Sequence, residues 1–176
     1  MKIIAHRGNL YGPFSDNPNH PETIIKAWDM GFDVELDLRY YPDEDSEYMS
    51  GHDEGVYPIN VAGLEPLKTW IHCKDIITFL HIQENYRNYN CFFHDVDVMT
   101  LTTSNHIWCH PKILLTLYEY HRYNDPLDFS NCIAVLPEFL WSTKTHDEID
   151  EKSFLKKFYG ICTDYPLTYR KLLVED

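Results

Sequence analysis

The stretch Asp33-Val34-Glu35-Leu36-Asp37-Leu38-Arg39 decides the reading of this chain. Side chains two apart on an extended strand share a face. Asp33, Glu35, Asp37 and Arg39 therefore point one way, and Val34, Leu36 and Leu38 the other. Paired carboxylates on an otherwise buried strand repel each other and are costly to desolvate. A divalent cation relieves both costs, and hard cations prefer carboxylate oxygen. An exposed edge strand, or neutralisation of Asp37 by Arg39, accounts for the pattern equally well.

Working outward, other short apolar runs also end in polar residues. Lys2 to Ala5 ends at His6-Arg7, and Trp70-Ile71-His72-Cys73 ends at Lys74. Cys91-Phe92-Phe93 ends at His94-Asp95, Ile107-Trp108-Cys109 at His110-Pro111, and Cys132 to Leu136 at Pro137-Glu138. Gly160-Ile161-Cys162 ends at Thr163-Asp164. Such runs predict buried strands. Helical patterns fall at 21–30, 75–86, 112–123, 147–158 and from Pro166 onward, the first opened by Pro21 and closed by Gly31. Strand–helix alternation predicts an α/β fold in one domain spanning 1–176. Polar strand ends suit a (β/α)8 barrel with chemistry at its C-terminal rim, which typically needs about 250 residues. The 176 residues therefore predict a trimmed barrel, with helices shortened or missing between residues 91 and 111.

Composition narrows the function. Apolar residues make up 44% and charged ones 24%, as in a globular protein. The formal charge of −13 argues against nucleic-acid binding, which needs a basic footprint. No run approaches the ~20 apolar residues of a membrane span, and no Lys/Arg-rich amphipathic anchor is evident. Met1 to Ala5 meets His6-Arg7 too early for a signal peptide. The five cysteines show no CxxC spacing, which predicts reduced, buried thiols and a cytoplasmic setting.

Three segments offer chemistry. In His6-Arg7-Gly8 an imidazole can exchange protons and a guanidinium can hold phosphate, although a salt-bridged surface turn reads the same way. The Glu35/Asp37 strand is the second. In Gly51-His52-Asp53 a hairpin would return His52 to the same site, with Asp53 holding its tautomer; a polar hairpin end is the plain alternative. The acidic loop Asp43 to Glu47 lacks the glycine of an EF-hand and reads as a solvated turn.

Together, Ala5-His6-Arg7-Gly8, Pro21-Glu22-Thr23, Gly31 to Asp37, His52-Asp53 and Gly160 to Pro166 resemble the glycerophosphodiester phosphodiesterase family. The resemblance implies a phospholipase-C-like barrel in which His6 and His52 form the acid/base pair and Arg7 contacts phosphate. It also implies that Glu35 and Asp37 bind a divalent metal, Mg2+ or Ca2+. The runs Trp70 to Lys74, Phe92 to Asp95 and Leu101 to Trp108 look like those of short relatives, some linked to surface-polysaccharide loci. Where the larger family carries Glu-x-Lys on its third strand, this chain has His72-Cys73-Lys74. His72 as a ligand shifts the expectation from Mg2+ or Ca2+ towards Mn2+ or Zn2+; the alternative is that the metal is lost.

Lys74 and His94 are further candidates for substrate contact, with Glu138, Asp164, Trp108 and Trp141 weighed mainly as structural. The expected activity is metal-dependent cleavage of a small glycerophosphodiester-like or phosphorylated-glycan substrate. The alternative is a catalytically silent barrel that binds a phosphorylated glycan. A glycosidase fits less well, because Glu35 and Asp37 lie too close together to flank a sugar.

Overall fold

The computed structural model describes residues 1–14, 17–43, 47–123, 127–141 and 151–174. The strands are β1 (Lys2–Ala5), β2 (Asp33–Tyr40), β3 (Tyr48–Ser50), β4 (Tyr57–Pro58), β5 (Thr69–Cys73), β6 (Asn90–Phe92), β7 (Met99–Leu101), β8 (Ile107–Cys109), β9 (Cys132–Val135) and β10 (Gly160–Thr163). The helices are α1 (Pro21–Asp29), α2 (Ile76–Asn85), α3 (Pro111–Tyr123), α4 (Glu138–Trp141), α5 (Glu151–Leu155) and α6 (Pro166–Leu173). Local chemistry sets the helix starts. Pro21 occupies the first turn of α1 behind a His20 cap, and the Asp75 carboxylate accepts from Thr78 N at 2.7 Å to open α2.

Seven strands run parallel in the order β6-β5-β2-β1-β10-β9-β8. The expected trimmed (β/α)8 barrel is not what forms. The sheet is mixed, curls into a half-barrel and carries only a few short helices. Between β2 and β5 the chain makes the antiparallel strands β3 and β4 instead of a helix. Between β6 and β8 it inserts β7, antiparallel to β8. Among the described residues no ladder joins β6 to β8, although Thr103 N reaches Cys91 O at 2.9 Å across the opening. The physical reason lies in the two connections. Neither 41–68 nor 93–106 carries an apolar stripe at helical spacing, so neither can supply a helix that buries one face on the sheet. Of the candidate helix at 147–158, residues 147–150 lie outside the described ones.

Strand alternation divides the interior in two. One core lies between the sheet and its helices and holds Val34, Leu36, Leu38, Ile71 and Cys73 with Ile24 and Ile82. The other fills the concave side with Ile4, Trp70, Phe92, Trp108, Ile133, Val135 and Cys162. On the same parity, two residues further along, come His6, His72, His94, His110 and Asp164. The apolar plug thus forms a floor, and the polar strand ends stand above it.

Candidate functional site

A cavity of about 360 Å3 opens above that floor, and His6, Arg7, Glu35, His52, His72, Lys74 and His94 all line it. Every residue singled out from the sequence for catalysis or substrate contact therefore reaches one space. Asp37, fully buried, lies behind the wall and ties its members together. Its Oδ2 stands 3.0 Å from Arg7 Nε and accepts from Asn19 Nδ2 at 3.0 Å. Its Oδ1 stands 3.0 Å from His72 Nδ1 and 3.2 Å from Lys74 Nζ. Burial works against this charge, but His72, Arg7 and Lys74 hold the Asp37 carboxyl well below the usual carboxylate range.

Glu35 faces three groups. Its Oε2 accepts from Arg7 N at 3.0 Å and lies 3.9 Å from His6 Nε2, and its Oε1 lies 3.6 Å from His72 Nδ1. The bond to Arg7 N holds a residue in the left-handed region, φ 54°. Next to it Gly8 has φ 76°, and a Cβ there would come 3.2 Å from Ile24 N. That close approach to α1 requires glycine.

His6 is fixed from behind. Its Nδ1 lies 2.8 Å from Asp164 Oδ1, which also accepts from Asn9 Nδ2 at 2.8 Å. Glu138 secures Asp164 in turn, accepting from Asp164 N and Thr163 Oγ1, each at 3.0 Å. Burial opposes charge on His6, yet the Asp164 hydrogen bond and the Glu35 charge outweigh it and raise its pKa. His72 is raised in the same way by Asp37 and Glu35 against its burial.

His52 sits at the mouth, its side chain 46% exposed, with Nδ1 2.6 Å from Asp53 Oδ1. Arg39 does not neutralise Asp37. Its Nη2 donates to the carbonyls of His52 at 3.1 Å and Asp53 at 2.9 Å, and so staples the turn that carries His52. On the far wall His94 stacks on His72 with centroids 4.6 Å apart, and His110 meets His94 edge-on at 4.0 Å.

Glu35, Asp37 and His72 each offer one donor atom within 4.8 Å of the others. Asp37 Oδ1 is enclosed and makes no hydrogen bond in good geometry, although two cationic groups stand near it. An enclosed oxygen with an unused lone pair beside an imidazole nitrogen fits a cation that accepts mixed N/O donors, Mn2+ or Zn2+. It fits less well the all-oxygen shell that Mg2+ and Ca2+ favour.

Asp164, Asn9, Asn19 and His110 complete the site beyond the residues expected to act. Asp164 and His110 were legible through the i+2 parity of Cys162 and Trp108. Asn9 and Asn19 sit in the β1–α1 connection, where no periodicity marks them. Trp108 is core and lines the cavity only at its floor. The side chain of Trp141 and residues 44–46 of the acidic loop lie outside the described residues.

Comparison of the chain with protein-family models, curated proteins and solved structures finds no match. Among the described residues no helix is long and apolar enough to cross a membrane.

Proposed function

We propose that this chain cleaves small phosphodiesters by paired imidazole acid–base catalysis, in kinship with the glycerophosphodiester phosphodiesterases whose motifs it resembles. The observation that carries the reading is the convergence of His6, Arg7, Glu35, His52, His72 and Lys74, drawn from four separate segments, on one cavity. Arg7 and Lys74 bring positive charge to the phosphoryl group, and Asp37 holds both in place. A divalent cation held by Glu35, Asp37 and His72 would supply further polarisation of a phosphoryl oxygen.

Asp164 holds Nδ1 of His6 and leaves Nε2 on the cavity side. That ring takes the proton of the attacking hydroxyl, either water or a neighbouring hydroxyl of the substrate. The imidazolium formed is stabilised by Asp164 and Glu35. The attacking oxygen bonds to phosphorus and the P–O bond to the leaving arm breaks. His52, at the exposed mouth, gives its proton to the departing alkoxide. A cytoplasmic setting agrees with five free, buried thiols.

The test is nitrophenol release from bis(4-nitrophenyl) phosphate in the presence of Mg2+, Ca2+, Mn2+ or Zn2+. Turnover is expected, and phosphorus NMR on a glycerophosphodiester, whose neighbouring hydroxyl can attack, separates a cyclic phosphate from a hydrolysed product. His6→Ala should lower nitrophenol release, and His52→Ala the cleavage of a glycerophosphodiester whose alkoxide arm needs a proton, each roughly 10²-fold or more. No turnover with any of the four ions overturns the reading. One observation favours a second reading, a silent pocket that binds a phosphorylated glycan. Asp37 already pairs with Arg7 and Lys74 and accepts from Asn19 within the protein. Phosphate-ester binding without turnover is its signature.

A further inference from the structure

The cavity does not end at His94. A second one, of about 500 Å3, lies beyond it and shares His94, Asp95, His110 and Pro111 with the first. Its own walls add Val96, Asp97, Val98, Lys112 and Phe139. The two imidazoles form the sill between the spaces, with ring centroids 4.0 Å apart.

Their hydrogen-bonding state is unusual. His94 Nδ1 and His110 Nε2 are enclosed without a partner. The backbone of Asp95 lies within hydrogen-bonding reach of the His94 ring. Neither ring has a carboxylate within ion-pair distance among the described residues. Two half-buried imidazoles, each with one enclosed nitrogen unbonded among the described residues, are poised for a ligand that exchanges hydrogen bonds. Buried polar groups without partners are uncommon in folded proteins.

A phosphodiester has two arms. The first cavity opens at this sill into the second, so one arm of a diester held by Arg7 and Lys74 can extend across it. The second cavity mixes apolar wall (Val96, Val98, Phe139) with charged groups of both signs (Asp95, Asp97, Lys112). That mixture suits a ring or chain with a C–H face and hydroxyl edges. We infer that the second cavity is a subsite for the uncharged, hydroxyl-bearing arm of the diester, a polyol or sugar ring, with His94 and His110 bonding its hydroxyls. The inference rests on the phosphodiester reading for the placement of the phosphate, and binding alone tests it.

The experiment titrates the full chain with inorganic phosphate, glycerol 1-phosphate, a hexose 1-phosphate and choline phosphate, reading imidazole nitrogens in 1H–15N spectra. Hexose 1-phosphate should bind at least tenfold tighter than inorganic phosphate and shift the signals of His94 and His110. Inorganic phosphate should shift those of His6 and His72 alone. Val98→Trp, which fills the second cavity, should abolish the tenfold advantage while the affinity for inorganic phosphate holds. Val96 is 84% exposed, so Val96→Lys serves if the tryptophan variant does not fold. Equal affinity for all ligands, tighter binding of choline phosphate, or an advantage that survives both variants overturns the subsite. Absence of turnover in the nitrophenyl assay with the hexose preference intact overturns only the catalytic reading.

Discussion

Asp164 Oδ1 lies 2.8 Å from His6 Nδ1, although 158 residues separate them. Adjacent parallel strands make the contact, since β1 pairs with β10 from Lys2↔Gly160 to Ala5↔Thr163 and the next residues, His6 and Asp164, meet just past the paired register. With Asn9 holding the carboxylate and Glu138 the backbone N–H of Asp164, the ring has one orientation. Asp164 is thus a positioning residue for His6.

Asp164→Asn should lower kcat/KM about 10²-fold. It should also move the low-pH limb of the profile. Asp164 raises the His6 pKa, so activity that needs the neutral ring appears only as pH climbs through a value above 6.5. Removing the charge lowers that value and shifts the limb to lower pH. A drop in rate with the limb unmoved would mean that Asp164 is only structural.

The local pattern predicted more than the global one. Runs such as Ile4-Ala5-His6 and Trp70-Ile71-His72 carry their own evidence, because period-2 alternation sets apolar floor and polar rim on one face. Helices α1, α2, α3 and α6 lie within a residue or two of where caps and apolar spacing put them. The barrel expectation failed because closure depends on how non-local strands meet. Nothing in Asn90–Phe92 or Ile107–Cys109 states whether they pair with each other. The role of Asn19 was illegible for a similar reason. It takes the left-handed conformation, φ 66°, and its Oδ1 accepts from Asp37 N at 3.0 Å, a contact no short-range rule anticipates.

Asp37→Asn tests the hub. The amide keeps the volume but cannot offset Arg7, Lys74 and a charged His72. Removing one partner from a buried ionic network typically costs about 3–5 kcal/mol. The urea midpoint at pH 7 should fall accordingly, and an unchanged midpoint would show that the carboxylate is not the member the others depend on.

Metal preference follows from the donor set. One equivalent of Mn2+ or Zn2+ should bind the chelator-treated protein more tightly than Mg2+ or Ca2+ does. Glu35→Gln and His72→Gln should each weaken it at least tenfold. Calorimetry or Mn2+ paramagnetic resonance reads this directly. A preference for Ca2+, or full affinity in both variants, would remove the cation from these residues.

Stability should depend on pH in two separate windows. Burial, then the charges of His72 and Lys74, pushes His94 down to about 4; burial, then His94 and His72, does the same to His110. An unfolded histidine titrates near 6.5. Between these values the unfolded chain binds protons that the native rings refuse. Their stabilisation is therefore whole above 6.5 and lost as pH falls to about 4. His6 and His72 act with the opposite sign, since their raised values give a contribution complete below 6.5 and lost as pH rises through them. Asp37 and Asp164 are lowered, so their share disappears only below the ordinary 3.8. Urea titrations at pH 6.5 and 4.5 should show a clear loss in the native sequence and a smaller one in His94→Gln/His110→Gln. Equal losses would contradict the assignment.

The last prediction concerns the turn that delivers His52. Gly51 has φ 154°, and a Cβ there would lie 2.0 Å from Glu54 O. Gly51 N also donates to Asp37 O at 3.2 Å, which joins the turn to β2 beside the buried carboxylate. An alanine cannot fit without moving Glu54 or the turn itself, and backbone is the atom in the way. The Arg39 staple resists displacement of residues 52 and 53, so the strain is directed into the orientation of His52. Gly51→Ala should therefore lower kcat at least tenfold. Phosphate affinity should change little, because Arg7 and Lys74 are anchored on Asp37 rather than on the turn. If His52 is the acid that protonates the leaving arm, a nitrophenolate arm, which departs without a proton, should lose less rate than an alkoxide arm in the same variant. An equal loss with both arms would assign the turn a structural role and take the proton donor away from His52.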